Sequence, residues 1–380
     1  MVQALFSDGK LNTLVKDKFG RNRFVLETFV KFGAPEEILW ESKPHIGTDI
    51  LIEVVERMRE EIIRLGGEFL FHSQVTDILP KENCLIVNGC HRIETDAAVF
   101  AVGHSARDTF KMLDSKDIMM EPKSFAVGLR IMHTQEFINE NAYGKCEYKL
   151  PTADYKVTYK SVSTGKERGV YSFCMCPGGF IVPAMTDAAE SVVNGMSPSG
   201  RNSVFANSGL VTEVRLADFE HLRAEWGELA GLKFQQQFER LARQQGGEHQ
   251  IAPAQRVADF VAGCASGSLS RTSYIPGVVP SRLDKWMPGF IASSLRAGIA
   301  TFGRRMRGFL TNEALVVGVE SRTSTPVRIP RDAQTLMHPE VAGLFPAGEG
   351  AGYAGGIISA ALDGERIADA VVNYLKNAYG

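Results

Sequence analysis

The sequence predicts a mixed α/β fold in which a β-rich segment interrupts an α/β part of the chain. Three observations support this prediction. Residues 344–361, LFPAGEGAGYAGGIISAA, run from a short apolar strand through a glycine-rich turn into a helix. Residues 95–103, TDAAVFAVG, form an apolar run ending at a glycine, as strands buried in parallel sheets do. Between these two stretches, alternating apolar and β-branched residues indicate further strands.

The first elements lead up to residues 95–103. A helix is predicted over residues 48–65, because Thr48 can cap it, apolar residues recur at helical spacing, and two glycines follow. Four strands are predicted after it: residues 69–71, 75–79, 84–87 and 91–93. Asn88 and Gly89 join the last two strands, which is the strongest short signal for a β-hairpin.

The sequence changes character over residues 121–329. Strands are predicted at residues 125–132, 155–162, 169–176 and 315–319, helices at 234–244 and 291–309, and loops at 257–270 and 276–288. We therefore predict one discontinuous domain, made of residues 1–120 and 330–380, and one inserted β-rich domain, made of residues 121–329.

Composition fits an enzyme-sized globular protein. With 380 residues and 44% hydrophobic content, the chain can bury a sizeable core. The net charge of −2 gives no basis for binding nucleic acid or an anionic membrane. No apolar run approaches the ~18 residues of a membrane span. Six cysteines without framework spacing predict reduced thiols and a cytoplasmic location.

The turn after residue 346 favours an anionic, phosphate-bearing ligand. Glycines let the backbone approach a ligand, and the first amides of a helix point toward it. Gly350, Gly352 and Gly355 spell GxGxxG, but one helix fills the remaining sequence, so no βαβ unit can follow. The layout is typical instead of the last strand, turn and helix of a flavoprotein, at the flavin end of FAD. A tightly packed turn without a ligand is the alternative.

Seven ordered motifs extend this interpretation along the chain. They are FSDGKLNT (6–13), FAVGHSARD (100–108), FAVGLRI (125–131), YSFCMCPGG (171–179), VVNGMS (192–197), ESRTSTPVRI (320–329) and FPAGEGAGYAGG (345–356). Together they resemble the uncharacterised bacterial FAD-dependent dehydrogenase family, among the glutathione-reductase-like and hydroxylase-like FAD-binding proteins. The resemblance implies FAD as cofactor and an incomplete FAD-binding Rossmann-like domain with an inserted β-rich substrate domain.

One departure from this family concerns the adenosine half of FAD. Family members carry a strand-GxGxxG-helix unit and a ribose-binding acid upstream of FSDGKLNT. The sequence resembles a member that starts partway into its FAD-binding domain. We expect the loss of that anchor to weaken FAD binding.

The resemblance also implies residues that contact FAD. They are Val75, Ala101, Val102, Gly103, Gly348, Glu349, Gly350, Gly355, Gly356 and Ile357. Glu349 is expected to bind the ribityl chain, with a carboxylate capping its own turn as the alternative. Amides at 355–357 are expected at the pyrimidine edge of the flavin. Val75 is expected near adenine, or is an ordinary strand residue. Residues 7–10 (Ser7, Asp8, Gly9 and Lys10) are expected near the isoalloxazine, with a frayed terminus as the alternative.

Three residues are candidates for catalysis. Cys174 and Cys176 would share one face of a regular strand, although buried structural thiols are the alternative. His104 follows the Ala-x-Gly turn and is a candidate acid or base, or a strand-end cap. Arg322 binds an acidic substrate or pairs with a carboxylate. We expect a small-molecule substrate and, by analogy, a nicotinamide donor. The alternative is a non-catalytic remnant or a ligand-binding module without flavin.

Overall fold

The computed structural model describes residues 9–13, 15, 17–145, 147–148, 150–162 and 165–379. The α-helices are α1 (Arg21–Lys31), α2 (Thr48–Arg64), α3 (Arg107–Asp114), α4 (Gln135–Tyr143), α5 (Arg223–Trp226), α6 (Ala230–Gln245), α7 (Val257–Ala262), α8 (Leu283–Trp286), α9 (Gly289–Arg305) and α10 (Ile357–Tyr379). Short 3-10 helices span Glu36–Leu39, Pro80–Glu82, Leu216–Asp218, Glu220–Leu222 and Gly227–Leu229.

The strands form one large sheet and several small ones. They are β1 (Val75–Leu79), β2 (Cys84–Val87), β3 (His91–Glu94), β4 (Ala98–Phe100), β5 (Glu121–Pro122), β6 (Phe125–Thr134), β7 (Thr158–Ser161), β8 (Arg168–Cys176), β9 (Phe180–Pro183), β10 (Val193–Met196), β11 (Phe205–Val214), β12 (Ala252–Arg256), β13 (Val278–Pro280), β14 (Leu315–Glu320), β15 (Val327–Arg328) and β16 (Leu344–Pro346). This combination of a large mixed sheet with helices confirms the mixed α/β class.

The large sheet lies within residues 121–329, which we call the middle segment. Its strand order is β13-β12-β14-β6-β11-β8-β7, and only β12 and β13 pair in parallel. Alternate residues of β6, such as Val127 and Leu129, pack with α6 and α9 in the main apolar core. On the other face, Met132 packs against β9 and β10. The sheet is therefore covered on both faces.

Several smaller elements lie outside the middle segment. β4 and β16 pair in parallel, with Ala98 opposite Leu344 and Phe100 opposite Pro346. β1, β2 and β3 form an antiparallel meander. Helices α1, α2 and α10 share an apolar core that contains Leu11 and Ile358. Because β4 and β16 are parallel, the segments that follow them lie at the same end of the two-stranded sheet.

Most predicted elements are present, with three corrections. Thr48 is the first residue of α2 rather than its cap, and its hydroxyl donates to the carbonyl of Ser197 (3.3 Å). Residues 69–71 form no strand; Phe69 stacks on Phe71 (6.3 Å between ring centroids) and no strand pairs with them. The predicted loops at 257–270 and 276–288 contain α7, β13 and α8, because burial of apolar residues such as Phe260 and Leu283 outweighs the local Gly, Ser and Pro content.

Within the described part of the chain, no helix is both long enough and apolar enough to cross a bilayer.

Candidate functional site

The glycine-rich turn after β16 meets the bend after β4. The Ala347 N–H donates to the carbonyl of Phe100 (3.0 Å), which extends the parallel pairing beyond the strands. A Cβ placed on Gly350 would lie 2.5 Å from the carbonyl oxygen of Gly103 and 2.8 Å from its nitrogen. Backbone therefore packs directly on backbone, and no side chain fits at residue 350. The structure brings together the turn (residues 347–356) and the bend (residues 101–106).

The chain's own groups hold the turn in place. Asp363 in α10 accepts a hydrogen bond from the Gly348 N–H (2.8 Å) and two from Arg331 (2.5 and 2.9 Å). The Tyr353 N–H donates to the carbonyl of Gly348 (3.0 Å). Gly352 has a φ of 86°, a left-handed conformation that favours glycine. The turn is thus preorganised by protein contacts.

The start of α10 is open. Gly355 and Gly356 are exposed, and a Cβ added at either position would meet no atom within 4 Å. The first amides of a helix lack a partner four residues earlier, so Gly356 and Ile357 present donors there. Gly355 differs from the prediction, because its N–H already donates to Ser359 Oγ (3.1 Å). Two of the three predicted amides are therefore available.

Glu349 is a half-buried acid on the turn. Burial raises the pKa of its carboxyl group to about 7, and the nearby Lys123 opposes that rise. Its carboxylate makes no hydrogen bond to any described residue; the Gly352 N–H donates to the main-chain oxygen of Glu349 instead (3.0 Å). The self-capping alternative is therefore wrong. Burial lowers the pKa of Lys123, and Arg328 lowers it further. An acid on the turn and a nearby cation from the segment after β5 are thus available to a ligand.

His104 lies on the bend and is mostly buried. Its Nδ1 is 2.9 Å from the hydroxyl of Ser105. Burial lowers the pKa of His104 to about 4, and the positive charges of Arg322 and Arg107 add to this effect. The imidazole is therefore neutral at pH 7, and it can accept or donate a hydrogen bond.

Four buried charges adjoin His104, and we call them the charge ring: Arg107, Glu190, Glu239 and Arg322. Glu190 accepts from both arginines at 2.8 Å. Glu239 accepts from Arg107 (2.8 Å) and Arg322 (3.1 Å). Burial raises the pKa of Glu190, whereas Arg322 and Arg107 overcome burial at Glu239 and hold its pKa near 2. Of the two alternatives for Arg322, the structure shows pairing with carboxylates.

The two candidate cysteines do not share a regular strand face. Cys174 has a φ of 42°, and the register between β8 and β11 shifts by one residue there. Cys176 is fully buried, and its Sγ accepts from Arg130 Nη2 (3.2 Å); Cys174 is half-buried. The expected common face is therefore wrong, because the bulge breaks the alternation. No disulfide joins them.

The remaining candidates flank the turn and the bend. Val75 begins β1 and packs at the edge of an apolar core that includes Phe110 of α3. The carbonyl of Gly9 accepts a hydrogen bond from the Ile46 N–H (3.0 Å). The backbones of Lys10 and His45 form an isolated antiparallel β-bridge. Ser7 and Asp8 lie outside the described residues. The exposed Ala101 and Val102 lie on the bend beside Gly103.

Sequence reasoning missed Lys123 and three members of the charge ring. Arg107 lies in the motif FAVGHSARD, so the sequence could have marked it as a candidate site residue. Glu239 occupies the buried face of α6 near Phe238 and Ala242, and a charge at such a position signals a buried partner. Glu190 precedes β10 in an irregular segment, and nothing in its sequence context marks it.

Comparison with known proteins places the chain in a family. Residues 124–323, more than half of the chain, match the family described as "FAD-dependent protein, C-terminal domain-like". The chain belongs to this family of FAD-dependent proteins. An uncharacterised protein of Clostridium beijerinckii is 45% identical over 374 residues, which cover 97% of this chain and 68% of that relative. The family match thus confirms the cofactor that the sequence predicts, FAD.

A solved structure, CtdE in complex with FAD and substrate 4, is more distantly similar to this FAD-dependent protein. It is 12% identical, with a TM-score of 0.33, and the match covers 88% of this chain. The chain spans 57% of the length of that structure. Similarity at this level carries no argument about residues or activity.

The residues present fit the flavin end of FAD. Gly350 lets the turn pack directly on Gly103 of the bend, Gly355 and Gly356 are exposed with open space where a Cβ would lie, and Glu349 offers an acceptor near Lys123. The adenosine end has less support. Among the described residues, β4 and β16 form a two-stranded parallel sheet, and Val99 of β4 is 47% exposed.

Proposed function

We propose that this chain is an FAD-dependent oxidoreductase, a dehydrogenase of a small organic substrate. The supporting observation is the contact of Gly350 with Gly103 beside the open start of α10. Such a junction offers backbone N–H donors to a negatively charged or electron-rich ligand. Bound FAD supplies reversible uptake of a hydride equivalent, a reaction that amino-acid side chains do not provide.

Each residue at the junction has a proposed role. The amides of Gly356 and Ile357 donate to the pyrimidine edge of the flavin, and Glu349 accepts from the ribityl hydroxyls. Gly348, Gly350 and Gly355 shape the turn, whereas Ala101, Val102 and Gly103 line the opposite side. Val75 lies toward the adenine. Lys123 keeps part of the Glu349 population ionised, because its charge opposes the effect of burial.

His104 is the proposed acid or base. It is neutral and held by Ser105, so it can accept a proton from a substrate hydroxyl or return one. Cys174 is half-buried and remains a candidate for contact with the substrate, whereas Cys176 is buried against Arg130. We propose that the middle segment binds the substrate, that a nicotinamide serves as electron donor, and that the protein acts in the cytoplasm.

One observation favours a second function, a ligand-binding module without flavin. β4 pairs with β16 on one side, no described strand pairs with its other side, and Val99 is exposed. An adenosine moiety therefore meets few described groups beyond Val75. In this alternative the junction retains its geometry without binding FAD.

Flavin content separates the two functions. The purified chain is examined for flavin absorbance, for FAD released on denaturation, and for quenching of FAD fluorescence during titration. The Clostridium beijerinckii relative, purified in parallel, is the matched control. Flavin in this chain supports the oxidoreductase. A coloured relative beside a colourless chain that takes up no FAD favours the ligand-binding module.

A further inference from the structure

The charge ring is assembled from distant parts of the chain. Arg107 begins α3, directly after the bend, whereas the other three members of the ring come from the middle segment. Glu190 precedes β10, Glu239 lies in α6, and Arg322 follows β14. Each carboxylate contacts both arginines, so displacement of one member strains two ion pairs. Both carboxylates are at most 1% exposed, so water cannot replace a lost partner.

The ring continues directly into the bend. Arg322 Nη1 donates to Ser105 Oγ (3.3 Å) and to Thr186 Oγ1 (2.9 Å). The Arg107 N–H donates to the carbonyl of Ser105 (2.9 Å). Ala101 and Val102 are exposed and contribute little anchoring. The bend is therefore held by Gly350 on one side and by the charge ring on the other.

We infer that Arg107 and Arg322 are positioning residues for FAD, and this inference rests on the proposed function. The charge ring holds the bend against the turn, in the arrangement that the flavin end of FAD requires. FAD affinity then depends on two buried carboxylates of the middle segment, Glu190 and Glu239. The middle segment and the cofactor site are coupled through this ring.

The variant E239Q tests the inference, because glutamine keeps the shape of the side chain and removes the charge that both arginines share. We expect the Kd for FAD to rise about tenfold, a common size for coupling between neighbouring sites. We also expect faster hydrogen–deuterium exchange in peptides covering residues 101–106 of the protein without FAD. The matched control is D218N, which weakens the part-buried pair of Asp218 with Arg168 (2.5 and 2.7 Å) inside the middle segment. D218N should leave both readouts unchanged.

The outcomes are distinct. Unchanged exchange at residues 101–106 in a folded E239Q protein, with unchanged FAD affinity, overturns the inference and leaves the proposed function intact. If E239Q does not fold, E190Q replaces it with the same two readouts, since burial already disfavours the charge of Glu190. If the unmodified chain takes up no FAD, the proposed function fails. Hydrogen–deuterium exchange at residues 101–106 then tests the charge ring without FAD. Unchanged exchange in E239Q contradicts the idea that the charge ring anchors the bend, and faster exchange supports it.

Discussion

The interior of the middle segment and the junction of turn and bend both bury charge, but they satisfy it differently. In the interior, Arg130 is fully buried and donates to Asn207 (2.8 Å), Glu320 (3.0 Å) and the carbonyl of Cys174 (2.9 Å). At the junction, the carboxylate of Glu349 makes no hydrogen bond to any described residue. The charge of Arg130 is therefore met by protein groups, whereas the carboxylate of Glu349 is left to solvent or to a ligand.

Glycines in the two regions also differ in what surrounds them. A Cβ on Gly195 would overlap the guanidinium of Arg130, so this glycine makes room for a side chain of the core. Gly350 makes room for backbone, whereas Gly355 and Gly356 leave open space. The interior is closed by its own side chains, and the junction is closed only on one side. The glycine of the interior thus admits a side chain of the core, whereas the glycines at the start of α10 leave space that the proposed cofactor could use.

The largest expected effect is on the interior. R130M leaves the carboxyl group of Glu320 buried without its cation, and we expect the free energy of unfolding to fall by about 3–5 kcal/mol. Urea unfolding followed by circular dichroism measures the loss. The Kd for FAD, measured in conditions where R130M and the unmodified protein are both folded, should change far less than it does in the charge-ring variants.

A double-mutant cycle sharpens this result. R130M/E320Q removes both charges, so it should recover part of the stability that R130M alone loses. Equal stability of the single and double variants would contradict a pairing role for Arg130. A large loss of FAD affinity in R130M would erase the contrast between interior and junction.

The second effect is at the junction. In G350A the new methyl group meets the carbonyl oxygen and the nitrogen of Gly103 at 2.5 and 2.8 Å, so turn and bend must separate. We expect a loss of about 1–3 kcal/mol in the free energy of unfolding, the usual cost of overpacking. FAD binding should also weaken, which fluorescence titration measures.

The same substitution elsewhere provides the control. In G364A the methyl group projects from the exposed side of α10 and meets no atom within 4 Å. Alanine is preferred over glycine within a helix by about 0.5–1 kcal/mol, so G364A should stabilise the protein. If both variants shift stability in the same direction, the close contact of Gly350 with Gly103 is not what sets the cost.

The sequence was sufficient where local signals and the fold agree. The hairpin at Asn88 and Gly89, the helix at 48–65 and the strand before residue 347 follow from turn chemistry and periodicity, and the structure has all three. The pairing of β4 with β16 was also accessible, because two apolar strands ending in glycine-rich turns belong at one sheet edge.

The sequence was insufficient where distant residues meet. Glu190 and Arg107 are 83 positions apart, and only the folded chain brings them to 2.8 Å. The bulge at Cys174 depends on how β8 registers with β11, so strand periodicity alone placed both thiols on one face. The Gly355 amide was assigned to a ligand, yet the nearby Ser359 hydroxyl accepts from it.

The smallest effect concerns Glu349 and pH. Burial raises the pKa of this acid from its ordinary 4.5 to about 7 in the folded protein. As pH rises from 4.5 to 7, the unfolded chain loses this proton before the folded chain does, so stability falls over that window. E349Q lacks this titration, and its stability relative to the unmodified protein should rise by about 1–2 kcal/mol between pH 5 and pH 8. Urea unfolding at both pH values gives this difference and cancels other titrations common to both proteins.

Lys123 provides the control for this experiment. Its charge lowers the pKa of Glu349, so K123M should extend the fall in stability to higher pH and enlarge the total loss. In the E349Q background, K123M should leave the slope unchanged, because the acid that responds to the lysine is gone. Parallel stability curves for the unmodified protein and E349Q would mean that Glu349 is well solvated and that its pKa is not perturbed at the junction.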